Sequence, residues 1–365
     1  MLKKAAALFL ACVGLALCLS CGKSKNNFVY AAIPGAGQIL IYREDPNSGA
    51  LTPLSVSPIS AGAGVQSVVI HPSKQFLYAA NSAEDDISLF TIASTGAITE
   101  VTPRTPVTPL GTTPTFLVMD PAGNFLYVGN AESNNISVFS ISSSSSSPGS
   151  LTPITNSPFS TGISPLNMAL APSGNFLYVT GSGSLGYGYI EVFSLAGLTS
   201  QSPELNLVQT AQTGVNPYGL AINPAGSYLY TANFSANSIS SFTINTDGSL
   251  TALGSPIGEA YSSPISLLID NSGKYLYVAN QGSGNLGAYS IGSDGGLALL
   301  STSPFTSNPQ PSVIASDPSG IYLFVGNQKG ASIESLTLNT STGALAEVGT
   351  YAVGNTPTSI AVLAP

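Results

Sequence analysis

Hydrophobic and polar residues along the chain form short runs that are typical of β-strands, and these runs recur in a fixed order. A short apolar run, such as 219–222, ends in a turn that contains Pro and Gly, and an aromatic run follows it. A third run, such as Ile136 to Ile141, alternates between apolar and polar positions, which is the pattern of a half-buried strand. A hairpin then leads into a weak outer strand. Because the good helix formers are scattered after the first twenty positions, we expect almost no helix.

The aromatic run occurs seven times. Its anchoring residues are separated by 48, 49, 51, 52, 47 and 47 residues. Repeats of this length that contain four strands each are typical of propeller blades. The sequence therefore predicts an all-β, seven-bladed β-propeller of four-stranded blades. We interpret the anchors as packing between blades rather than as a platform on which a ligand stacks. The anchors are Tyr30, Tyr78, Tyr127, Tyr178, Tyr230, Tyr277 and Phe324.

The two ends of the chain are predicted to meet in one blade. No inner strand precedes the first aromatic strand at Tyr30, whereas an additional apolar strand, Ser359 to Leu363, follows the last repeat. This C-terminal strand would complete the first blade and close the ring without an open sheet edge. The predicted organisation is a signal peptide at 1–20, a tether at 21–27 and a propeller at 28–365.

The N-terminus has the layout of a secretion signal. Lys3 and Lys4 precede an apolar run that ends at Leu19, and Ser20 then stands before Cys21. A small residue before a cysteine resembles the lipobox of bacterial lipoproteins, in which the cysteine becomes the acylated first residue. We expect an exported protein that is lipid-anchored at the bacterial cell envelope through Cys21, on its periplasmic or surface side. The alternative is an ordinary cleaved signal in which Cys21 is incidental.

Composition and charge narrow the range of partners. Charged residues make up 7% of the chain, and the formal net charge is −8. Removal of the signal would leave a net charge of about −10, which would repel nucleic acid. We expect no nucleic-acid partner, no cofactor, membrane contact only through the lipid anchor, and a monomer. A small sugar-like ligand, a glycan and an envelope protein stay open as partners.

The repeats resemble those of YVTN-type propellers and, more closely, the seven-bladed lactonase family typified by 6-phosphogluconolactonase. The resemblance rests on a Pro-x-Gly turn followed by strands such as YLYVAN, which ends at Asn280, and it covers the chain from residue 28 onwards. It implies a propeller fold and the hydrolysis of a lactone. In that family the loop that enters an inner strand often reads Pro-Arg-His, which places basic side chains at a central pocket, and a Glu can follow the YVxN strand.

The chain departs from this pattern at the matching positions. None of the entering loops contains Arg or His, and Gln281 and Gln328 stand where the family can have Glu. Opening a lactone requires a base that activates water and donors for the developing oxyanion. We therefore favour a catalytically degenerate binding or interaction scaffold, with an active lactone hydrolase of carbohydrate metabolism and a structural or adhesion module as alternatives. The entering loops read Pro114-Thr115-Phe116, Pro165-Leu166-Asn167, Pro217-Tyr218-Gly219, Pro264-Ile265-Ser266, Pro311-Ser312-Val313 and Pro357-Thr358-Ser359.

Candidate ligand contacts are predicted on the face that carries the loops between second and third strands. The loop at 181–189 is the longest of these loops, and its tyrosines could contact a glycan or a peptide; simple variation in loop length is the alternative. No catalytic residue is assigned. The candidate ligand-binding residues are Arg104, Tyr187, Tyr189, Tyr218 and Tyr261.

Acidic residues on the same face form a candidate metal site. Clustered carboxylates could hold Ca²⁺, although a solvated acidic rim is the simpler interpretation. The candidate ligands are Glu84, Asp85, Asp86 and Glu132, together with Glu259.

His71 is the only histidine and has a structural interpretation. It occupies the first position of the turn after an inner strand, where other repeats have Asp or Asn, such as Asp120 and Asn223. A side-chain acceptor at this position supports the turn backbone. We expect His71 on the face opposite to Arg104.

Overall fold

The computed structural model describes residues 26–183, 186–195, 204–258 and 261–364. These residues form seven antiparallel sheets, and 1% of the chain is helical, in a 3₁₀ turn at Pro34–Ala36. The predicted all-β, seven-bladed propeller is confirmed. Among the described residues, no helix has the length and apolar character needed to cross a bilayer. Cys21 and the predicted signal peptide lie outside the described residues.

Each blade is a meander in which the inner strand lies at the ring centre and the outer strand at the rim. In several blades the outer position is shared by two short strands that pair with the same third strand. Blade 1 contains β1 (Asn27–Ile33), β2 (Gln38–Glu44), β3 (Leu51–Pro53) and β4 (Ile59–Ser60), and blade 2 contains β5 (Val65–Ile70), β6 (Phe76–Asn81), β7 (Asp86–Ile92) and β8 (Ile98–Pro106). Blade 3 contains β9 (Pro114–Met119), β10 (Phe125–Asn130), β11 (Asn135–Ile141), β12 (Leu151–Pro153) and β13 (Phe159–Ser160). Blade 4 contains β14 (Ser164–Leu170), β15 (Phe176–Ser182), β16 (Gly188–Ser194) and β17 (Asn206–Gln212). Blade 5 contains β18 (Pro217–Ile222), β19 (Tyr228–Asn233), β20 (Ser238–Ile244), β21 (Leu250–Ala252) and β22 (Ile257–Gly258). Blade 6 contains β23 (Pro264–Ile269), β24 (Tyr275–Asn280), β25 (Asn285–Ile291), β26 (Leu297–Leu299) and β27 (Phe305–Thr306). Blade 7 contains β28 (Pro311–Ser316), β29 (Tyr322–Asn327), β30 (Ser332–Leu338) and β31 (Leu345–Ala352).

The last strand, β32 (Ser359–Leu363), closes the ring as predicted. It pairs antiparallel with β1 and is the inner strand of blade 1. The hydrophobic core of the described residues is divided into clusters, each lying between two neighbouring blades. One cluster joins blade 7 to blade 1, because Phe324 and Ile333 pack with Val29 and Tyr42. The junction of the chain ends is therefore packed like the other blade interfaces.

The aromatic repeat motif is explained by contacts with the next blade. Its first aromatic side chain packs under the glycine of the neighbouring outer hairpin; a Cβ on Gly49, for example, would lie 2.2 Å from the Tyr322 ring. In five blades its anchoring tyrosine donates a hydrogen bond to the carbonyl of that glycine, and burial raises the tyrosine pKa, so the hydroxyl stays a donor. The interpretation as packing between blades is confirmed. The bonded pairs are Tyr30–Gly96, Tyr78–Gly149, Tyr178–Gly248, Tyr230–Gly295 and Tyr277–Gly343, at 2.7–2.9 Å.

Candidate functional site

A cavity of about 670 Å³ lies at the centre of the ring, and all seven inner strands contribute to its wall. It opens on the face where the inner strands begin, which we call the top face. The side chains that follow the entering prolines line it, together with two glutamines from the loops after β24 and β29. The lining residues include Gln66, Thr115, Phe116, Leu166, Asn167, Tyr218, Ile265, Ser266, Gln281, Ser312, Gln328, Thr358 and Ser359.

The cavity wall is uncharged and combines polar with apolar side chains. No Asp, Glu, His, Lys or Arg occurs among the described residues that line it. An anionic group in this cavity would lose hydration without meeting a cation, which is unfavourable. A neutral ligand with hydroxyl groups avoids that cost, because hydroxyls pair with neutral donors and acceptors.

The hydroxyl-bearing residues of the wall tie neighbouring inner strands together. Ser312 Oγ donates to the Pro357 carbonyl at 2.6 Å, and Thr358 Oγ1 donates to the Gln66 carbonyl at 2.9 Å, so their free lone pairs are acceptors. Ser359 Oγ instead accepts from the Val68 N–H at 3.1 Å, which leaves its hydroxyl hydrogen free to donate. The wall therefore offers both donors and acceptors to a ligand.

Two side-chain pairs stand at the mouth of the cavity. Gln281 Nε2 donates to Gln328 Oε1 at 3.0 Å, bridging blades 6 and 7. In the neighbouring blade 5, the Tyr218 ring meets the Phe234 ring edge-on, with centroids 5.4 Å apart. Tyr218 also accepts a hydrogen bond at its backbone carbonyl from Asn167 Nδ2 at 2.9 Å, which fixes the start of its strand against blade 4. The mouth therefore carries an amide pair and an aromatic pair on neighbouring blades.

Comparison with known proteins assigns the family. The family model described as Lactonase, 7-bladed beta-propeller, matches residues 59–158, 145–264 and 259–362. The chain belongs to this family. A comparison with curated proteins gave no match.

Solved structures share the propeller fold of this chain. A provisionally assigned 6-phosphogluconolactonase from Bacteroides uniformis is 18% identical, with a TM-score of 0.80 over 93% of this chain and 100% of that one. The periplasmic gluconolactonase of Pseudomonas aeruginosa is 18% identical, with a TM-score of 0.76 over 93% of this chain and 99% of that one. A protein from Lactobacillus plantarum is 20% identical, with a TM-score of 0.77 over 93% and 99%. At these identities the likeness establishes the fold.

In this lactonase-family propeller, Arg104 lies apart from the central cavity. It is on β8, the outer strand of blade 2, and lines a separate groove of about 440 Å³ together with several prolines. Its guanidinium pairs with Glu84 and donates to Glu100 Oε1 at 2.6 Å, and the hydrogen bond to Glu100 raises the pKa of Arg104. Arg104 is therefore not part of the cavity wall.

The acidic candidates for a metal site form ion pairs and hydrogen bonds with other residues of the protein. Glu84 and Asp86 flank Arg104, with Asp86 3.9 Å from its guanidinium, and Asp85 Oδ1 accepts from the Thr113 N–H at 2.7 Å. Glu132 Oε2 accepts from the Thr113 hydroxyl. Within the described residues, no group of three or more His, Cys, Asp or Glu side chains is placed to hold a metal ion. Glu259 lies outside the described residues.

The candidate tyrosines take different positions on the top face. Tyr218 lines the cavity, and Tyr187 is 49% exposed in the loop before β16. Tyr189 is half-buried at the edge of the core between blades 3 and 4. Tyr261 is half-buried in the connection that enters blade 6, and it is not part of the cavity wall.

His71 supports its turn on the opposite face. Its Nδ1 accepts from the Ser73 N–H at 3.0 Å, which identifies Nε2 as the protonated nitrogen, and Nε2 donates to the Gly123 carbonyl of blade 3 at 2.9 Å. In blade 3, Asp120 accepts from backbone N–H groups of its own turn in the same way. The structural interpretation of His71 is confirmed.

Among the described residues, three buried glutamates lie elsewhere in the blades. Glu44, Glu191 and Glu334 end or occupy third strands, and none lines the cavity. Burial raises the pKa of each, to about 7 for Glu44. They are therefore not placed to activate a water in the cavity.

The sequence does not predict some of the cavity residues as ligand contacts. Gln281 and Gln328 stand where the family can have Glu, and Gln66 has no proline before it. The repeat position of Gln66 lines the cavity in every blade, which was the available signal for that residue, whereas the position of Gln281 and Gln328, directly after the aromatic strand, lines the cavity only in blades 6 and 7 among the described residues.

Proposed function

We propose that this lactonase-family propeller is a binding protein whose central cavity takes a neutral, polyhydroxylated, sugar-like ligand, and that it does not hydrolyse lactones. The supporting observation is the uncharged wall of the central cavity. It offers hydroxyl and amide groups for a ligand's hydroxyls, with neither a cation for a phosphate nor an acid or base for ring opening.

The experiment compares neutral and anionic ligands. The purified full-length chain in detergent is titrated with neutral sugars and sugar lactones and with their phosphorylated and carboxylated counterparts. Hydrolysis of the lactones, including 6-phosphogluconolactone, is measured against spontaneous opening. We expect binding of neutral compounds only and no enzymatic turnover.

Two variants locate the site. Tyr218→Ala removes a side chain from the cavity mouth and should weaken binding, whereas Arg104→Gln changes the outer groove and should leave binding unchanged. Equal binding by Tyr218→Ala, or loss of binding in Arg104→Gln only, would move the site away from the cavity.

Family membership supports a second candidate function, the hydrolysis of a lactone. Turnover above background that copurifies with the protein and falls in cavity variants would establish it. The base would then have to be a water held by neutral wall groups or a carboxylate brought in by movement of a loop.

The proposed location is the bacterial cell envelope, after export and lipid attachment at Cys21. The support is the N-terminal sequence, with its basic start, apolar run and Ser20-Cys21 pair. Metabolic labelling with an alkyne fatty acid should mark the wild-type protein and not Cys21→Ala. If wild type and Cys21→Ala are labelled equally, Cys21 is not the site of lipid attachment, and the N-terminus is an ordinary signal peptide.

The proposed association state is a monomer without a nucleic-acid partner. Sedimentation in detergent and a titration with double-stranded DNA at low salt test the two parts. The net acidic charge supports the absence of DNA binding, since binding would require basic side chains on the phosphates.

A further inference from the structure

An apolar surface continues outward from the cavity mouth across blades 4 and 5. We call it the aromatic rim and define it as Tyr187, Val215, Tyr218 and Phe234. Three of these side chains are exposed, at 49% for Tyr187, 38% for Val215 and 37% for Tyr218. Exposed apolar side chains gathered in one place, beside a cavity, indicate a binding surface more strongly than scattered ones do.

The two loops that carry the rim are locked together. The Thr213 N–H donates to the Gly188 carbonyl at 2.9 Å, and Ser182 Oγ donates to Asn216 Oδ1 at 2.8 Å. The loops approach so closely at Gly188 that a Cβ there would lie 1.9 Å from the Gly214 carbonyl oxygen and 2.8 Å from Pro217. Tyr187 and Tyr218 each neighbour one side of this contact in sequence. Hydrogen bonds between the two loops therefore hold the rim residues in place.

The second rim loop is equally well held. Asn216 accepts at its carbonyl from the Phe234 N–H at 2.8 Å, and its side-chain amide donates to Ser235 Oγ at 2.7 Å. These bonds fix Phe234 beneath Tyr218, whose ring it meets edge-on. Tyr218 then belongs to both the rim and the cavity wall, so the two surfaces are continuous.

The rim is uncharged as well as aromatic. The described residues 186–189, 213–218 and 234–237 contain Gly, Tyr, Thr, Val, Asn, Pro, Phe, Ser and Ala, and no ionisable side chain other than tyrosine. Aromatic rings with a polar edge suit the apolar C–H faces and hydroxyl edges of a sugar ring. A row of such rings accepts successive sugar units. The neutrality of both surfaces disfavours an acidic glycan, which would be held near a protein of net negative charge without a cation.

Resting on the proposed function, we propose that the ligand is the end of a neutral oligosaccharide chain. Its terminal sugar occupies the central cavity, and the following units lie over the aromatic rim of blades 4 and 5. A single sugar would use only the cavity, so affinity should grow with chain length.

The test measures affinity against chain length. Neutral glucans of one to six units, from the cello and malto series, are titrated into the full-length protein in detergent. We expect affinity to rise about tenfold between one and four units in at least one series, which is the scale of one or two aromatic contacts. Tyr187→Ala should remove most of this rise and leave the affinity for a single sugar unchanged, while Tyr187→Phe should keep the rise.

A control and three outcomes complete the test. Leu299→Ala removes an equally exposed apolar side chain from the outer strand of blade 6, and it should preserve the rise. Binding of single sugars with no gain from longer chains would overturn this inference and leave the proposed function standing. The absence of binding at every length would overturn the proposed function itself. Capture of a peptide from a synthetic array, lost in Tyr187→Ala and without any length-dependent glycan binding, would assign the rim to a protein partner and overturn the glycan.

Discussion

Ser335 Oγ donates a hydrogen bond to the Gly49 carbonyl at 2.7 Å, although the two residues are 286 positions apart in the sequence. In five other interfaces this bond comes from the anchoring tyrosine, whereas the Tyr127 hydroxyl of blade 3 has no partner among the described residues and blade 7 has Phe324 at that position. Ser335 lies directly opposite Phe324 in the β29–β30 pair and replaces the missing hydroxyl. Blade 7 is thereby bonded to blade 1 at the same hairpin glycine position that is used in those five interfaces.

Removal of the Ser335 hydroxyl should destabilise the closed ring. Ser335→Ala leaves the buried Gly49 carbonyl without its donor, and we expect the free energy of unfolding to fall by about 1–3 kcal/mol. Adding Phe324→Tyr to that variant should restore part of the loss, because the tyrosine supplies a hydroxyl as it does in five other blades. Denaturant melts of the single and double variants measure both effects.

Blade 5 supplies a matched control. Ser241 occupies the position equivalent to Ser335, but there Tyr230 already bonds to Gly295, and the buried Ser241 hydroxyl has no partner among the described residues. Ser241→Ala should therefore leave stability unchanged or raise it slightly. If Ser241→Ala and Ser335→Ala lower the free energy of unfolding by the same amount, the hydrogen bond from Ser335 to Gly49 does not stabilise the junction of blades 7 and 1.

A second prediction concerns Glu44, which is fully buried where β2 ends near blade 7. Burial raises its pKa from 4.5 to about 7; Asp317 and Asp45 add to the effect, and the nearby Asn27 side chain opposes it. Neither carboxyl oxygen makes a well-formed hydrogen bond with a described group. The folded protein therefore holds this proton more tightly than the unfolded chain does.

The pH dependence follows from that difference. Below pH 4.5 the carboxyl is protonated in both states, and its contribution to stability is fully present. As the pH rises to 7 the unfolded chain loses the proton first, so the free energy of unfolding should fall by about 3 kcal/mol and then level off. Glu44→Gln should be more stable than wild type at pH 8 and similar at pH 4.

Thermal melts from pH 4 to 8 measure this effect. Glu347→Gln makes the same substitution at an exposed site on β31 and should keep the wild-type pH profile. Burial also raises the pKa of Glu191 and Glu334, so some slope should persist in Glu44→Gln. If the Glu44→Gln profile parallels that of wild type, the buried carboxyl does not control the pH dependence.

The repeat pattern was sufficient to predict the blades and the closure by β32, because each blade repeats the same turn and aromatic anchor. It also indicated which loops reach the cavity, since the residues after the entering prolines line it. The pattern could not predict partners brought together across strands. Arg104 is one of two arginines in the propeller and is predicted from the sequence to contact a ligand, yet it pairs with Glu100 of β8 and Glu84 of the loop before β7. The role of Ser335 likewise depends on strand register.

A third prediction concerns His71. His71→Ala removes the acceptor for the Ser73 N–H and the donor to Gly123, and it should lower the free energy of unfolding by about 1 kcal/mol. His71→Asn should lose less, because Asn223 supports the equivalent turn in blade 5. Sugar binding should be unchanged in both variants, since the turn lies on the face opposite to the cavity mouth. Loss of binding in His71→Asn without loss of stability would assign His71 a functional role instead.

The last prediction tests whether the absence of charge decides which ligands the cavity accepts. Thr115 follows the entering proline of blade 3, at a position where the lactonase family often has Arg, and it lines the cavity. Thr115→Arg should place a cation in the wall, create measurable affinity for a phosphorylated sugar and weaken the binding of its neutral counterpart. Thr52→Arg adds the same charge on the exposed outer strand of blade 1 and should change neither affinity. Calorimetric titrations with one phosphorylated and one neutral sugar compare the variants at equal ionic strength, because an unspecific charge effect would appear in both arginine variants and would be reduced by salt. If Thr115→Arg binds the phosphorylated sugar no better than Thr52→Arg does, then something other than the missing cation excludes anions from the cavity.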